Sequence, residues 1–475
     1  MVKNYGLLID GKWIENKKTL NVLNPFDQKK IASVSIASAT QITNAIQNSQ
    51  YAFKKWSKTS VKDRSQILKN LFKIVIENKK LLSELITMES GKPLSESMVE
   101  VDYGASFIEW AAEQSLGSHG KIFESPELDK KMFYIKKPVG VVAAITPWNF
   151  PLAMVTRKVA AAIAAGCSVI LKPSELTPLT ALKFGELSIE AGIPSGVFNI
   201  INGDAQLIGK LLTESSIVKK ITFTGSTKVG KLLMKNSSST VKNISLELGG
   251  NAPFIVFDDA NLDEALEGFI AAKFRNAGQT CISANRLFVN EKVFEKFQSM
   301  LVNRFMQLRV GNGLDDVDVG PLISKEALKK VESHIKDAVK KGAKLVFGGK
   351  RSKAGELFFE PTLVGNIKKQ MHIFKKENFG PIIPIVKFKN EKDLIELVND
   401  TEYGLAAYFF TKKTSRIWEI VENLEYGMFG VNSGKISTYL NPFGGLKESG
   451  IGREGSFQCL EPFLETKFIS WRIND

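Results

Sequence analysis

Thiols and imidazoles are scarce in this chain. Three cysteines (Cys167, Cys281, Cys459) and three histidines (His119, His334, His372) are spread through 475 residues. No cysteines stand at a paired spacing and no histidine sits in a metal-ligand pattern, which argues against a disulfide framework or a zinc site. No metal is expected. A long apolar run is missing too. The longest apolar stretch, 159–171, is too short to span a bilayer and is bounded by Lys158 and Lys172. It reads as a buried helix running into a strand. The opening residues, Met1-Val2-Lys3-Asn4-Tyr5, lack the apolar segment of a signal peptide. A soluble protein of a reducing compartment, the cytoplasm, is expected, with no membrane partner.

Acidic residues are the minority charge. Lys+Arg 64 against Asp+Glu 50 leaves a net charge of +14. The lysines are scattered along helix-like segments (Lys329, Lys330, Lys336, Lys340), and no basic run interleaved with aromatics occurs. A solvated basic surface is the reading, not a nucleic-acid partner, and its field favours anionic small molecules. A hydrophobic fraction of 44% and a charged fraction of 24% are those of a globular protein. The length allows two or three domains with sizeable cores.

Segments 139–148, 168–171, 197–201, 220–224 and 254–257 read as buried strands. Helical patterns lie between them, at 151–165 and at 177–191, the latter closed by Gly192. Such alternation implies βαβ units and a parallel sheet. A second alternating set runs from Leu262 to about Gly430, with a helix expected at 291–308 and a strand at 382–388. Two short alternating pieces, 131–137 and 463–472, stand outside both sets.

What is present is chemically pointed. Phe274-Arg275-Asn276-Ala277-Gly278-Gln279-Thr280-Cys281 puts one cysteine in a small polar turn after a helix-like run. A thiol there is nucleophilic if its thiolate is stabilised. Ser245-Leu246-Glu247-Leu248-Gly249-Gly250 sets a carboxylate in an apolar strand-like segment, where its pKa rises and it can serve as a base near neutrality. A thiol and a poised carboxylate are the pair needed to trap an aldehyde covalently and then hydrolyse a thioester. Taken alone, each has a plain reading: an inert buried thiol, a solvated strand carboxylate.

With these segments in view, the chain resembles the aldehyde dehydrogenase superfamily from about Leu8 to its C-terminus. The resemblance implies an α/β fold of two parallel-sheet domains and a small β element. The implied division is 1–120 with 139–248 for NAD(P) binding, 249–430 for catalysis, and 121–138 with 431–475 for oligomerisation, as a homodimer or homotetramer. It makes Cys281 the nucleophile and Glu247 the base. Asn149, in Thr146-Pro147-Trp148-Asn149-Phe150-Pro151, becomes the oxyanion donor beside the Cys281 N–H, and Lys158 a proton relay.

For the cofactor, the resemblance points to Trp148, Lys172, Ser174 and Glu175 after one strand, with Gly225, Ser226 and Gly230 as the pyrophosphate turn. Glu377 and Phe379 match the nicotinamide-side ribose contacts. A carboxylate at Glu175 accepts from the 2′-hydroxyl and repels a 2′-phosphate, which favours NAD over NADP. Arg157, Arg275 and Ser437 match the residues that hold the distal carboxylate in members acting on succinate semialdehyde. The expectation is a semialdehyde dehydrogenase. The alternatives are a broader aldehyde dehydrogenase (glutarate semialdehyde, hydroxyaldehydes, aliphatic aldehydes), a CoA-acylating enzyme, and a non-catalytic binding protein on the same fold. Two departures stand out: Ser283 replaces a second cysteine often found two residues after the nucleophile, which excludes a vicinal disulfide there, and Ala161 replaces a frequent proline.

Overall fold

The computed structural model describes residues 3–117 and 120–473; His119, Met1 and Val2 lie outside the described residues. Two large sheets organise it. The first has eight strands, and its parallel centre is β1 (Val141–Ile145), β2 (Ser168–Lys172), β3 (Val218–Thr224), β4 (Asn243–Glu247) and the strand Phe198–Ile200. Antiparallel strands Gly450–Ile451 and Leu7–Ile9 flank that centre. The central strands are buried along most of their length, as a sheet covered by helices requires.

The second sheet has seven strands and centres on β5 (Ala252–Val256), β6 (Ala284–Asn290) and β7 (Ile382–Phe388). All its pairings are parallel except at the edge strand Lys344–Phe347. A separate three-stranded sheet pairs Leu464–Arg472 with Lys130–Pro138, and Lys121–Phe123 with the latter, all antiparallel. The two alternating segments that stood outside the sheets in sequence are thus partners across more than 300 positions.

Register aligns the strand ends that matter. Thr224 is paired with Glu247, Phe223 with Ile145, and Ile145 with Lys172. The loops after β1, β2, β3 and β4 therefore emerge together at the carboxyl edge, where open parallel sheets bind ligands. β1 is shorter than the expected 139–148 because Pro147 has no N–H for the ladder. Helix α1 (Leu94–Gly117) crosses α2 (Ala153–Ala165) behind this edge. Every residue of α2 is buried, so the apolar run 159–171 needs no solvent face. Gly166 ends α2 at φ +95, a left-handed cap that lets the chain turn at once into β2. Two further helices border the site: α3 (Thr227–Ser237), opening after β3, and α4 (Leu262–Phe274), leading to the cysteine turn.

Candidate active site

Cys281 lies half-buried on the floor of a cavity of about 220 Å³. Trp148, Asn149, Arg157, Gly225, Ser226, Arg275, Glu377, Phe379 and Ser437 line the same cavity. A second cavity of about 480 Å³ shares Tyr103, Phe150, Arg275, Thr280 and Ser437 with it. The first cavity is bounded by the β3–α3 turn, and the second, bounded by α1 and α4, adjoins it beside Thr280.

The cysteine turn is held by unusual backbone. Asn276 and Ala277 adopt φ +50 and φ +55, left-handed values that cost non-glycine residues strain. Gly250 passes so close that a Cβ there would stand 2.3 Å from the Cys281 carbonyl oxygen. Only glycine lets the β4–β5 connection run against the Cys281 main chain. Asn149 is buried, and its Nδ2 donates to the Gln279 carbonyl at 3.0 Å. Its Oδ1 has no partner among the described residues.

The polar turn alone does not produce a thiolate. Burial pushes the Cys281 thiol up to about 12, while Arg157 and Arg275 act in the lowering direction. Glu247 ends β4 at 2% exposure, and neither carboxylate oxygen has a hydrogen-bond partner among the described residues. Burial, then the nearby Glu454 charge, hold its carboxyl well above the ordinary carboxylate range. Glu247 does not line the cavity; Leu248 and Gly249, which follow it, do.

Arg157 departs from the picture of a free anion receptor. It is 3% exposed, its Nε lies 2.5 Å from Glu454 Oε2, and its guanidinium sits 4.3 Å above the Phe443 ring. Burial disfavours its charge, but Glu454 more than restores it. Lys158, next on α2, donates to the other Glu454 oxygen and is sealed behind Arg157, away from the cavity. Arg275 is half-buried with its guanidinium 4.5 Å above Phe150, and no ion pair engages it among the described residues. Ser437 faces both cavities.

On the other side, Ser226 caps α3, its hydroxyl accepting from Val229 N at 3.4 Å. Gly230 packs where a Cβ would meet Leu248 at 2.5 Å. Trp148 and Phe379 meet edge to face at 5.5 Å. Glu377 Oε1 accepts from Gly250 N at 3.0 Å, which ties it to the glycine pair. Lys172, Ser174 and Glu175 lie outside the cavity: Lys172 Nζ pairs with Glu175 Oε2 at 2.5 Å, and Ser174 Oγ accepts from Leu176 N.

Sequence reading missed Glu454, Tyr103 and Phe443, all of which close on Arg157 or its cavity. Glu454 sits in Gly452-Arg453-Glu454-Gly455, which reads as a polar turn, and its partner Lys158 lies 296 positions away. No local periodicity signals such a pair.

The description "Aldehyde dehydrogenase family" matches residues 13–469. The chain belongs to the aldehyde dehydrogenase family. It is 51% identical over 465 residues to the mitochondrial succinate-semialdehyde dehydrogenase of Oryza sativa subsp. japonica, covering 97% of this chain and 88% of that relative. To the glutarate-semialdehyde dehydrogenase of Pseudomonas aeruginosa it is 47% identical over 464 residues, covering 97% and 96%. The crystal structure of an NADP-dependent enzyme from E. coli superposes with a TM-score of 0.98 at 47% identity, covering 99% of this chain and 98% of that one. This aldehyde dehydrogenase is therefore an NAD(P)-dependent oxidoreductase acting on an aldehyde group. Among the described residues no helix is long and apolar enough to cross a membrane, and no cluster of His, Cys, Asp or Glu could hold a metal.

Proposed function

We propose that the chain oxidises succinate semialdehyde to succinate, with NAD favoured over NADP. The observation that carries this reading is one cavity joining a cysteine, an amide donor, two arginines and a serine: Cys281, Asn149, Arg157, Arg275 and Ser437. Arginine's planar fork suits a carboxylate in a water-poor pocket. Arg275 is the freer of the two and would take the distal carboxylate first, with Arg157 and Ser437 completing the contact.

The residues at the carboxyl edge fit a dinucleotide. The N-terminus of α3 suits a pyrophosphate, and the buried Thr224 hydroxyl nearby has no hydrogen-bond partner among the described residues. Gly225, Ser226 and Gly230 would hold the pyrophosphate, Lys172, Ser174 and Glu175 the adenosine ribose, and Trp148, Glu377 and Phe379 the nicotinamide side. Bound NAD(P) supplies the hydride acceptor.

The chain's own residues supply the rest. Cys281 Sγ attacks the carbonyl carbon as its thiol proton passes to water. Asn149 Nδ2 and the Cys281 N–H hold the developing oxyanion. Loss of hydride from the thiohemiacetal leaves a thioester on Cys281. Glu247, ionised, takes a proton from water, whose oxygen adds to the thioester carbon. The C–S bond breaks, and the thiol and the acid product are released. Lys158 and Glu454 would carry Glu247's proton away from the cavity.

The first-sheet body (1–120 and 139–248) would bind the cofactor and 249–430 would carry catalysis. Segments 121–138 and 431–475 would assemble a homodimer or homotetramer, supported by exposed Ile122, Phe468 and Trp471 on the three-stranded sheet. A cytoplasmic location completes the reading.

A second reading, a glutarate-semialdehyde dehydrogenase, is favoured by the Pseudomonas aeruginosa relative. One steady-state panel separates them: succinate semialdehyde, glutarate semialdehyde and an uncharged aldehyde, each with NAD and NADP. The highest kcat/KM is expected for succinate semialdehyde with NAD. A preference for the uncharged aldehyde would overturn the carboxylate reading.

A further inference from the structure

The buried ion pair between Lys92 and Glu100 lies outside the reaction described above, yet it touches the loop that carries Asn149. Both side chains are fully buried. Lys92 Nζ donates to Glu100 Oε2 and, at 2.6 Å, to the main-chain carbonyl of Asn149. The other Glu100 oxygen accepts from Leu152 N at 2.9 Å and Ala153 N at 3.3 Å. These are orphan amides at the start of α2, which no local side chain caps. One pair thus grips the Asn149–Ala153 segment by its carbonyl at one end and its amides at the other.

The same helix reaches the nucleophile's turn. Glu96 Oε2 accepts from Asn276 N at 2.7 Å, and Asn276 Nδ2 donates at 3.0 Å to the same Asn149 carbonyl. Glu96 and Glu100 are one helical turn apart on α1, so they face one way. Asn276 is held at φ +50. Such a conformation persists only where its surroundings over-determine it.

We propose that Lys92, through Glu100, is a positioning residue that sets the Asn149 amide against Cys281 for the oxyanion. A buried ion pair contributes little net stability compared with apolar side chains of the same volume. Its distinctive output here is geometric: two donors converge on one carbonyl, and that fixes the plane of the peptide after Asn149. The proposal rests on the reading of Asn149 as oxyanion donor.

The test compares Lys92→Met, Asn149→Ala and the double variant, in the full-length enzyme with NAD and succinate semialdehyde. Three quantities are read: the single-turnover NADH burst rate, the NAD dissociation constant, and the rate of Cys281 alkylation by iodoacetamide. Alkylation uses the thiol but develops no oxyanion. Asn149→Ala should slow the burst about 100-fold, as loss of an oxyanion donor does. Lys92→Met should slow it about 10-fold, since small misplacements of a reacting group are costly. On the Asn149→Ala background it should add no more than about twofold, because the two act as one unit. NAD binding and alkylation should stay within about twofold of wild type, and Lys92→Arg should recover most of the burst rate.

An additive loss on the Asn149→Ala background, an unchanged burst in Lys92→Met, or an equal slowing of alkylation would overturn the proposal while leaving Asn149's role intact. A normal burst in Asn149→Ala would remove both together, a distinct result. If Lys92→Met leaves Glu100 unpaired and does not fold, Lys92→Met/Glu100→Gln removes both charges and carries the same comparison.

Discussion

Glu454 Oε2 lies 2.5 Å from Arg157 Nε, deep in the protein and within the electrostatic reach of Glu247. This contact changes what each arginine can do. Arg157 already serves an internal carboxylate, so its removal would strand Glu454 as well as weaken substrate binding. Arg275 has no such commitment.

Arg275→Gln is therefore the clean test of carboxylate recognition. It should cost on the order of 2–4 kcal/mol in kcat/KM for succinate semialdehyde and leave an uncharged aldehyde of similar length nearly unaffected. Arg157→Gln should impair both aldehydes and lower stability by about 3–5 kcal/mol, because a buried carboxylate loses its partner. Steady-state kinetics on both substrates and a denaturant titration check the pair. Selective loss in Arg157→Gln with unchanged stability would contradict the assignment.

Deacylation should weaken on acidification. Glu247 must be ionised to act as a base, and its pKa is raised by burial and by Glu454. The acid limb of the thioester hydrolysis rate should therefore fall well above the ordinary carboxylate range. Glu454→Gln removes a neighbouring negative charge that raises the Glu247 carboxyl, so the limb should move to lower pH. A pH–rate profile of acyl-enzyme decay reads this. Movement to higher pH would contradict it.

Cofactor choice should respond to Glu175. It pairs with Lys172 at the end of β2. Glu175→Gln removes the charge that would repel a 2′-phosphate, and the NADP-to-NAD ratio of kcat/KM should rise about tenfold. The NADP-dependent structural neighbour makes this a sharp question. A wild-type enzyme with a lower KM for NADP than for NAD would overturn the preference.

Stability should carry a histidine signature. Burial holds His334 down from 6.5 to about 4, with Nδ1 at 2.8 Å from Asn378 Oδ1. The unfolded chain binds the proton more readily, so stability is lost as pH falls from 6.5 towards 4. The expected loss is on the order of 3 kcal/mol, and His334→Gln should flatten that part of the curve. Chemical denaturation at several pH values tests the slope.

The fold was legible where one local rule was enough. Strand segment 382–388 is a mostly apolar run, and the later half of α2, 159–165, is apolar throughout. The site was legible where a motif carried its own chemistry, as in the turns ending at Cys281 and Glu247. What escaped was long-range. Glu454 meets Lys158 from 296 positions away, and Lys92 meets the Asn149 carbonyl only once the fold closes that loop over it. Helix α1 was not read because Glu96, Glu100 and Gly104 blur its apolar stripe, although those carboxylates face other elements of the interior. The expected helix at 291–308 shrinks to Phe294–Met306, because Asn290 binds Lys292 N and holds the entry in a turn.

The central claim is a thioester on Cys281 that Glu247 hydrolyses. Mixing Glu247→Gln with NAD and succinate semialdehyde, with NADH absorbance and intact mass followed together, tests it most directly. The expected result is a burst of one NADH per active site, accumulation of a succinyl adduct on Cys281, and slow turnover afterwards. Cys281→Ser should bind NAD yet give neither burst nor adduct. Undiminished turnover in Cys281→Ser, or no adduct in Glu247→Gln despite normal NAD binding, would contradict the account.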